Sequence, residues 1–226
     1  MDLIIQFNCM HFSIALGVAL LIGFLMMVQS RNFYTMHVVL RKFSMIDLQF
    51  PASPLELVHY IKGIFLLPEP ATRKVVKNLR GQLYIDFIFM IAAYGAIFIL
   101  CMKVSLKMEW IGQWIFAIFA WLQLVPLLCD TIENIYLIKK IKPNPAPSSK
   151  AVHKLMQRVE LVKWIIPLTA IVCCLAAMAY CWITGNYSYN SMEYLVLVIA
   201  EIALFIILIK ATSKDEKEKI KEFTSP

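Results

Sequence analysis

Apolar residues fall into five long runs along this chain, and the stretches between the runs hold most of the charge. The runs cover about residues 11–30, 83–104, 110–138, 159–184 and 192–209. Each is close to or beyond the ~20 residues that cross a hydrocarbon layer, so each predicts a membrane-spanning helix. The expected fold class is all-α, an integral membrane helical bundle of about five transmembrane helices. It forms a single domain over residues 1–226, with a charged tail at 210–226. The first run has no basic segment ahead of it and no clear small-residue cleavage site, so it is expected to stay as a helix. Its Gly17 and Gly23 suit close approach by a neighbour.

Residues 31–82 are too long for a plain connector and are not low in complexity. Phe43 to Phe50 mixes apolar and polar residues and stops at Pro51. Ser53-Pro54 followed by Glu56 is a helix start, with serine as the cap and proline at the first position. The helix predicted over 54–65 gathers Leu57, Ile61 and Ile64 or Phe65 on one side. That pattern predicts a cytoplasmic interfacial helix lying along the membrane, with Leu57 and Ile61 in the acyl boundary. A second helical stretch, 71–82, carries Arg73, Lys74, Lys77 and Arg80 and leads straight into the second span.

Composition agrees with the pattern. The chain is 60% hydrophobic and 16% charged, with a mean hydropathy of +0.70, against about 45–50% and about 25% for soluble domains. The net charge of +7 does not point to nucleic acid, because of where the charges lie. Residues 31–82 hold eight Lys and Arg, 139–163 hold seven and the tail holds five, whereas the opposite side holds only Lys103 and Lys107. By the positive-inside rule the N-terminus is outside and the C-terminus in the cytoplasm. The expected location is the cell inner (plasma) membrane, and the expected partners are membrane lipids and other membrane subunits.

The third span is unusual in carrying two carboxyls and a carboxamide before its first lysine. At ~100° per residue, Gln123, Asp130, Glu133 and Asn134 share one side of the helix. Ionisable groups within a span face a bundle interior or a water-filled cavity and mark a functional site by default. Three depths match. Asp86 lies six residues past Arg80, Glu133 six before Lys139, and Lys163 five after Arg158. Three helices would thus bring Asp86, Asp130, Glu133 and Lys163 to one level near the cytoplasmic side. Pro126 and Pro167 each cancel a helical hydrogen bond, freeing the carbonyls of Leu122 and Lys163. Asp47, Gln49, Tyr94 and the mid-span Glu201 are secondary candidates. A lone Glu201 in the fifth span would be held neutral or paired.

Other chemistry finds less support. The six cysteines show no paired spacing beyond Cys173-Cys174, and five of them lie in apolar runs, as packing residues would. No metal and no cofactor is expected. Residues 142–149, rich in proline, read as a short stiff connector. On the fourth span Ala170, Cys174 and Ala177 share the Lys163 side, a stripe suited to close packing. Asn186-Tyr-Ser188 is a formal glycosylation sequon in the predicted outer loop.

Phe43-x-x-x-Asp47-Leu-Gln-Phe50, Asp86-Phe-x-Phe89 with Tyr94-Gly95, Leu127-x-x-Asp130-x-x-Glu133-Asn134 and Leu161-x-Lys163-Trp164 resemble stretches of a group of small bacterial multi-pass membrane proteins. The resemblance covers about residues 40–175 and implies bacterial origin and a shared intramembrane site, without naming a reaction. A weaker likeness links the chain to sterol-isomerase and sigma-2-receptor-like bundles, which set carboxylates in a membrane pocket; their helix count and motif order differ. Three functions are therefore expected in turn. The first is binding of a small lipid-like or amphipathic ligand against Asp86, Asp130, Glu133, Asn134 and Lys163. The second is proton-transfer chemistry on a lipid or isoprenoid, with Glu133 or Asp130 as acid or base. The third is a non-catalytic subunit whose buried charges fix packing.

Overall fold

The structure of the chain is a computed structural model that describes residues 7–36, 40–186 and 190–224. Its elements in order are α1 (Cys9–Ser30), β1 (Tyr34–Met36), β2 (Leu40–Lys42), α2 (Met45–Gln49), α3 (Pro54–Phe65), α4 (Glu69–Ser105), α5 (Trp110–Leu122), α6 (Leu124–Lys140), α7 (Lys150–Ile183) and α8 (Asn190–Thr224). Five stretches among the described residues are long and apolar enough to cross a membrane: α1, α4, α5 with α6, α7, and Leu195–Thr212 within α8. The chain is a multi-pass helical bundle.

α4 is the hub. It packs against α1 on one side and against α5, α6 and α7 on the other, while α8 joins the bundle through α1. The third span is broken at Gln123, where α5 ends and α6 begins. Pro126 explains the break, since it has no N–H to offer the Leu122 carbonyl four residues back. Pro167 has no such effect, and α7 runs unbroken from Lys150 to Ile183.

Two helices are much longer than a membrane is thick. At 1.5 Å per residue, the 37 residues of α4 span ~55 Å and the 34 of α7 span ~51 Å, against about 30 Å of hydrocarbon. The basic stretch 71–82 is therefore the first part of α4 itself rather than a separate helix. Their N-terminal portions project from the same end of the bundle, and residues 33–36 and 40–67 fold against them as a compact cap. Phe33, Phe43, Leu48, Leu57, Ile61 and Ile64 form one core with Val75 and Leu79 of α4 and Leu137 and Ile141 at the end of α6. Arg80 fastens the rim by donating to the Ile141 carbonyl at 2.9 Å.

One expectation is corrected here. α3 begins and ends where the sequence predicts, with the Ser53 hydroxyl accepting from the Glu56 N–H at 3.2 Å. Its apolar side, however, meets protein and not lipid: Leu57 is 4% exposed and Ile61 1%. The fold is all-α as expected, and to it is added a small two-stranded ribbon that the sequence did not announce, β1 antiparallel to β2 with Thr35 opposite Arg41. β1 lies over α3, where the Thr35 hydroxyl donates to the Tyr60 carbonyl at 3.0 Å. The approach is close enough to need glycine. A Cβ on Gly63 would sit 2.1 Å from Thr35 Oγ1 and 2.9 Å from the Met36 carbonyl oxygen. Gly63→Ala is expected to push the ribbon off the helix and cost about 1–3 kcal/mol, as overpacking does, read as a lower unfolding temperature in detergent. Unchanged stability would show that the ribbon is not seated there. Of the predicted sequon, Tyr187 and Ser188 lie outside the described residues.

Candidate functional site

The matched depths read from the sequence become direct contacts. Spacings of three and four residues aim side chains along one helix face, so α6 presents Asp130, Glu133 and Asn134 together, and α7 presents Glu160 with Lys163. α4 adds Asp86 and, two helical turns on, Tyr94. Lys163 Nζ donates to Asp130 Oδ1 at 3.0 Å, to Glu160 Oε1 at 3.1 Å, and to Glu133 Oε2. An ammonium has three protons to give, and all three are used. Asp130 is bonded on both oxygens, since the Tyr94 hydroxyl donates to Oδ2 at 2.9 Å. Asn134 Nδ2 donates to Asp86 Oδ2 at 2.6 Å. Each of the six groups from Asp86 through Lys163, Tyr94 aside, is at least nine-tenths buried.

The remaining candidates fall elsewhere. Gln123 is buried at the α5–α6 break and gives its amide to the Phe119 carbonyl of its own helix at 3.1 Å. Glu201 on α8 accepts from the Ser13 hydroxyl of α1 at 2.7 Å, a separate interhelical bond. Asp47 closes the capping box of α2, taking the Ser44 N–H at 2.7 Å. Gln49 does come near the site, as part of the wall of a neighbouring cavity.

Glu160 is the member that the sequence reading missed. It is 1% exposed and sits one turn before Lys163. The available signal was its spacing of three from an intramembrane lysine, but its place at the very start of the fourth apolar run suggested a solvated residue. Its presence changes the charge count. Asp86, Asp130, Glu133 and Glu160 surround one lysine, so full ionisation would leave a net charge of −3 in a buried site. Glu133 and Glu160 converge on the same ammonium, each accepting from Lys163 Nζ with one oxygen. Their second oxygens, Glu133 Oε1 and Glu160 Oε2, are buried and have no bonding partner among the described residues.

Beside these two glutamates is a cavity of about 20 Å³, enclosed by Gln49 and Leu57 of the cap and by His153 and Gln157 of α7. A space of that size holds about one water; an amphipathic ligand does not fit. A larger recess of about 280 Å³ runs along α5 between Trp114, Trp121 and Val125, but it is apolar and no member of the cluster lines it. The cavity lies where the cap meets α6 and α7, and neither Pro126 nor Pro167 lines it. No family model, no curated protein and no solved structure matches the chain, so the cluster's geometry is the basis for its function.

Proposed function

We propose that this multi-pass protein binds and releases a proton at the Glu133–Glu160 pair, reached from the cytoplasmic side of the inner (plasma) membrane. The orientation rests on the basic charge of the cap and of the connector before α7. One observation carries the proposal: two buried carboxyls converge on a single ammonium already saturated by three acceptors, and each has an oxygen without a partner among the described residues. Two carboxylates are acceptors only, and a proton between them supplies the missing donor. It also removes one of the excess charges, each of which costs about 2.5–3.5 kcal/mol in a span. Such carboxyl pairs share one proton because both cannot ionise at close range. The water-sized cavity then provides the path for exchange, with His153 and Gln157 between the pair and the cytoplasm.

Infrared spectroscopy tests this directly. The wild-type protein at neutral pH is expected to show the C=O stretch of a protonated carboxyl, shifting in heavy water and fading in alkali. Glu133→Gln and Glu160→Gln, with unchanged amide bands to certify the fold, are each expected to remove about one carboxyl's worth of that intensity. A neutral-pH spectrum without the band would overturn the proposal.

A further inference from the structure

Far from the charge cluster, two thiols meet. Cys101 on α4 and Cys174 on α7 are both fully buried, and their Sγ atoms are 3.5 Å apart. They lie in an apolar cluster with Met102, Phe116, Ala120 and Ala170. Packing alone gives a partial account of them. Small side chains let α4 and α7 approach closely, and alanine would serve as well. What alanine would not provide is two sulfurs from different helices aimed at each other. A disulfide closes at about 2.0 Å, so the sulfurs need to move together by about 1.5 Å. The other four cysteines are half-buried, and Cys173, next to Cys174, packs against the same apolar cluster.

We propose that Cys101 and Cys174 are a site of disulfide formation that ties α4 to α7. The pair lies beyond Asp86 by ~22 Å along α4 and beyond Lys163 by ~16 Å along α7. By the positive-inside assignment this is the outer half of the membrane, next to the compartment where disulfides persist. The reaction converts two thiols to one S–S bond and gives up two protons and two electrons. The acceptor is a small lipid-soluble oxidant of the quinone class, which leaves as the hydroquinone; protein covers both sulfurs, so it reaches them when the α4–α7 contact opens locally. The tie fixes the two helices that carry Asp86 and Lys163 at the opposite end.

The full-length chain in lipid nanodiscs, first reduced and then freed of reductant, is exposed to decylubiquinone. It is next denatured and its thiols are alkylated. Of the six cysteines, two are expected to escape alkylation, and a reductant should restore all six. Peptide mapping of the same wild-type sample should find Cys101 joined to Cys174, so the result does not depend on any variant folding. Cys101→Ala and Cys174→Ala should each abolish the protection, while Cys129→Ala and Cys181→Ala should leave it intact. The oxidised protein should unfold about 5–10 °C higher than the reduced one. Alkylation of all six thiols after quinone treatment, or a linked peptide that joins any other pair, would overturn the proposal.

Discussion

Replacing Lys163 by methionine is expected to destabilise the protein by about 3–5 kcal/mol, the range found when one partner of a buried ion pair is removed. Methionine keeps most of the volume and removes the charge, so the effect is electrostatic. Asp130, Glu133 and Glu160 each lose a donor at once, and all three are buried. Lys150, exposed at the start of α7, is the control: Lys150→Met should stay within about 0.5 kcal/mol, as ordinary surface changes do. The sharper measurement is a double-mutant cycle. Lys163→Met with Glu133→Gln should cost less than the sum of the two single changes, because the second removes a charge that the first leaves unpaired. Thermal unfolding in detergent reads all four proteins. Strict additivity, or a Lys163 loss no larger than that of Lys150, would show that the groups act separately.

The second large effect lies in the cap. Ile64→Ala is expected to cost about 2–5 kcal/mol, the range for truncating a buried aliphatic side chain. Ile64 is fully buried where α3 meets Phe33, Leu79 and Ile141, a seam with no freedom to collapse because β1 already rests on α3. A loosened cap also opens the wall that Gln49 and Leu57 give to the cavity. The variant should therefore speed hydrogen exchange at the amides around Glu133 and Glu160 as well as lower the unfolding temperature. Lower stability with unchanged exchange there would separate the cap from the site.

How much of this the sequence revealed depends on what kind of signal each feature leaves. The spans were legible because a bilayer imposes a length on apolar runs. The cluster was legible because charge within a span is so costly that matched depths imply contact; Asp130, Glu133 and Lys163 meet for that reason. Gln123 shares a helix face with Asp130 yet stays apart, because seven residues along the axis is a full two turns and the break at Pro126 intervenes. The 54–65 helix was correctly bounded by its cap residues, but periodicity shows only that one face is apolar. It does not show what covers that face, and lipid was expected where the cap core stands. The ribbon was missed because three residues per strand are too few for an alternating pattern. Glu160 was missed because the edge of an apolar run looks the same whether the residue there faces solvent or a lysine.

The order of residues along the chain bears on how the protein is made. Asp86, Asp130, Glu133 and Glu160 all precede Lys163, so synthesis delivers all four acids before the cluster's one lysine exists. Insertion of α4 and α6 thus begins with carboxyls that must travel as neutral acids or wait at the cytoplasmic surface. The cap follows the same timetable, since its core needs Leu137 and Ile141 and stays open until the third span has left the ribosome. Arrival of the fourth span therefore completes the charge cluster last, and a chain stalled before Lys163 would hold its acids without the cation that secures them.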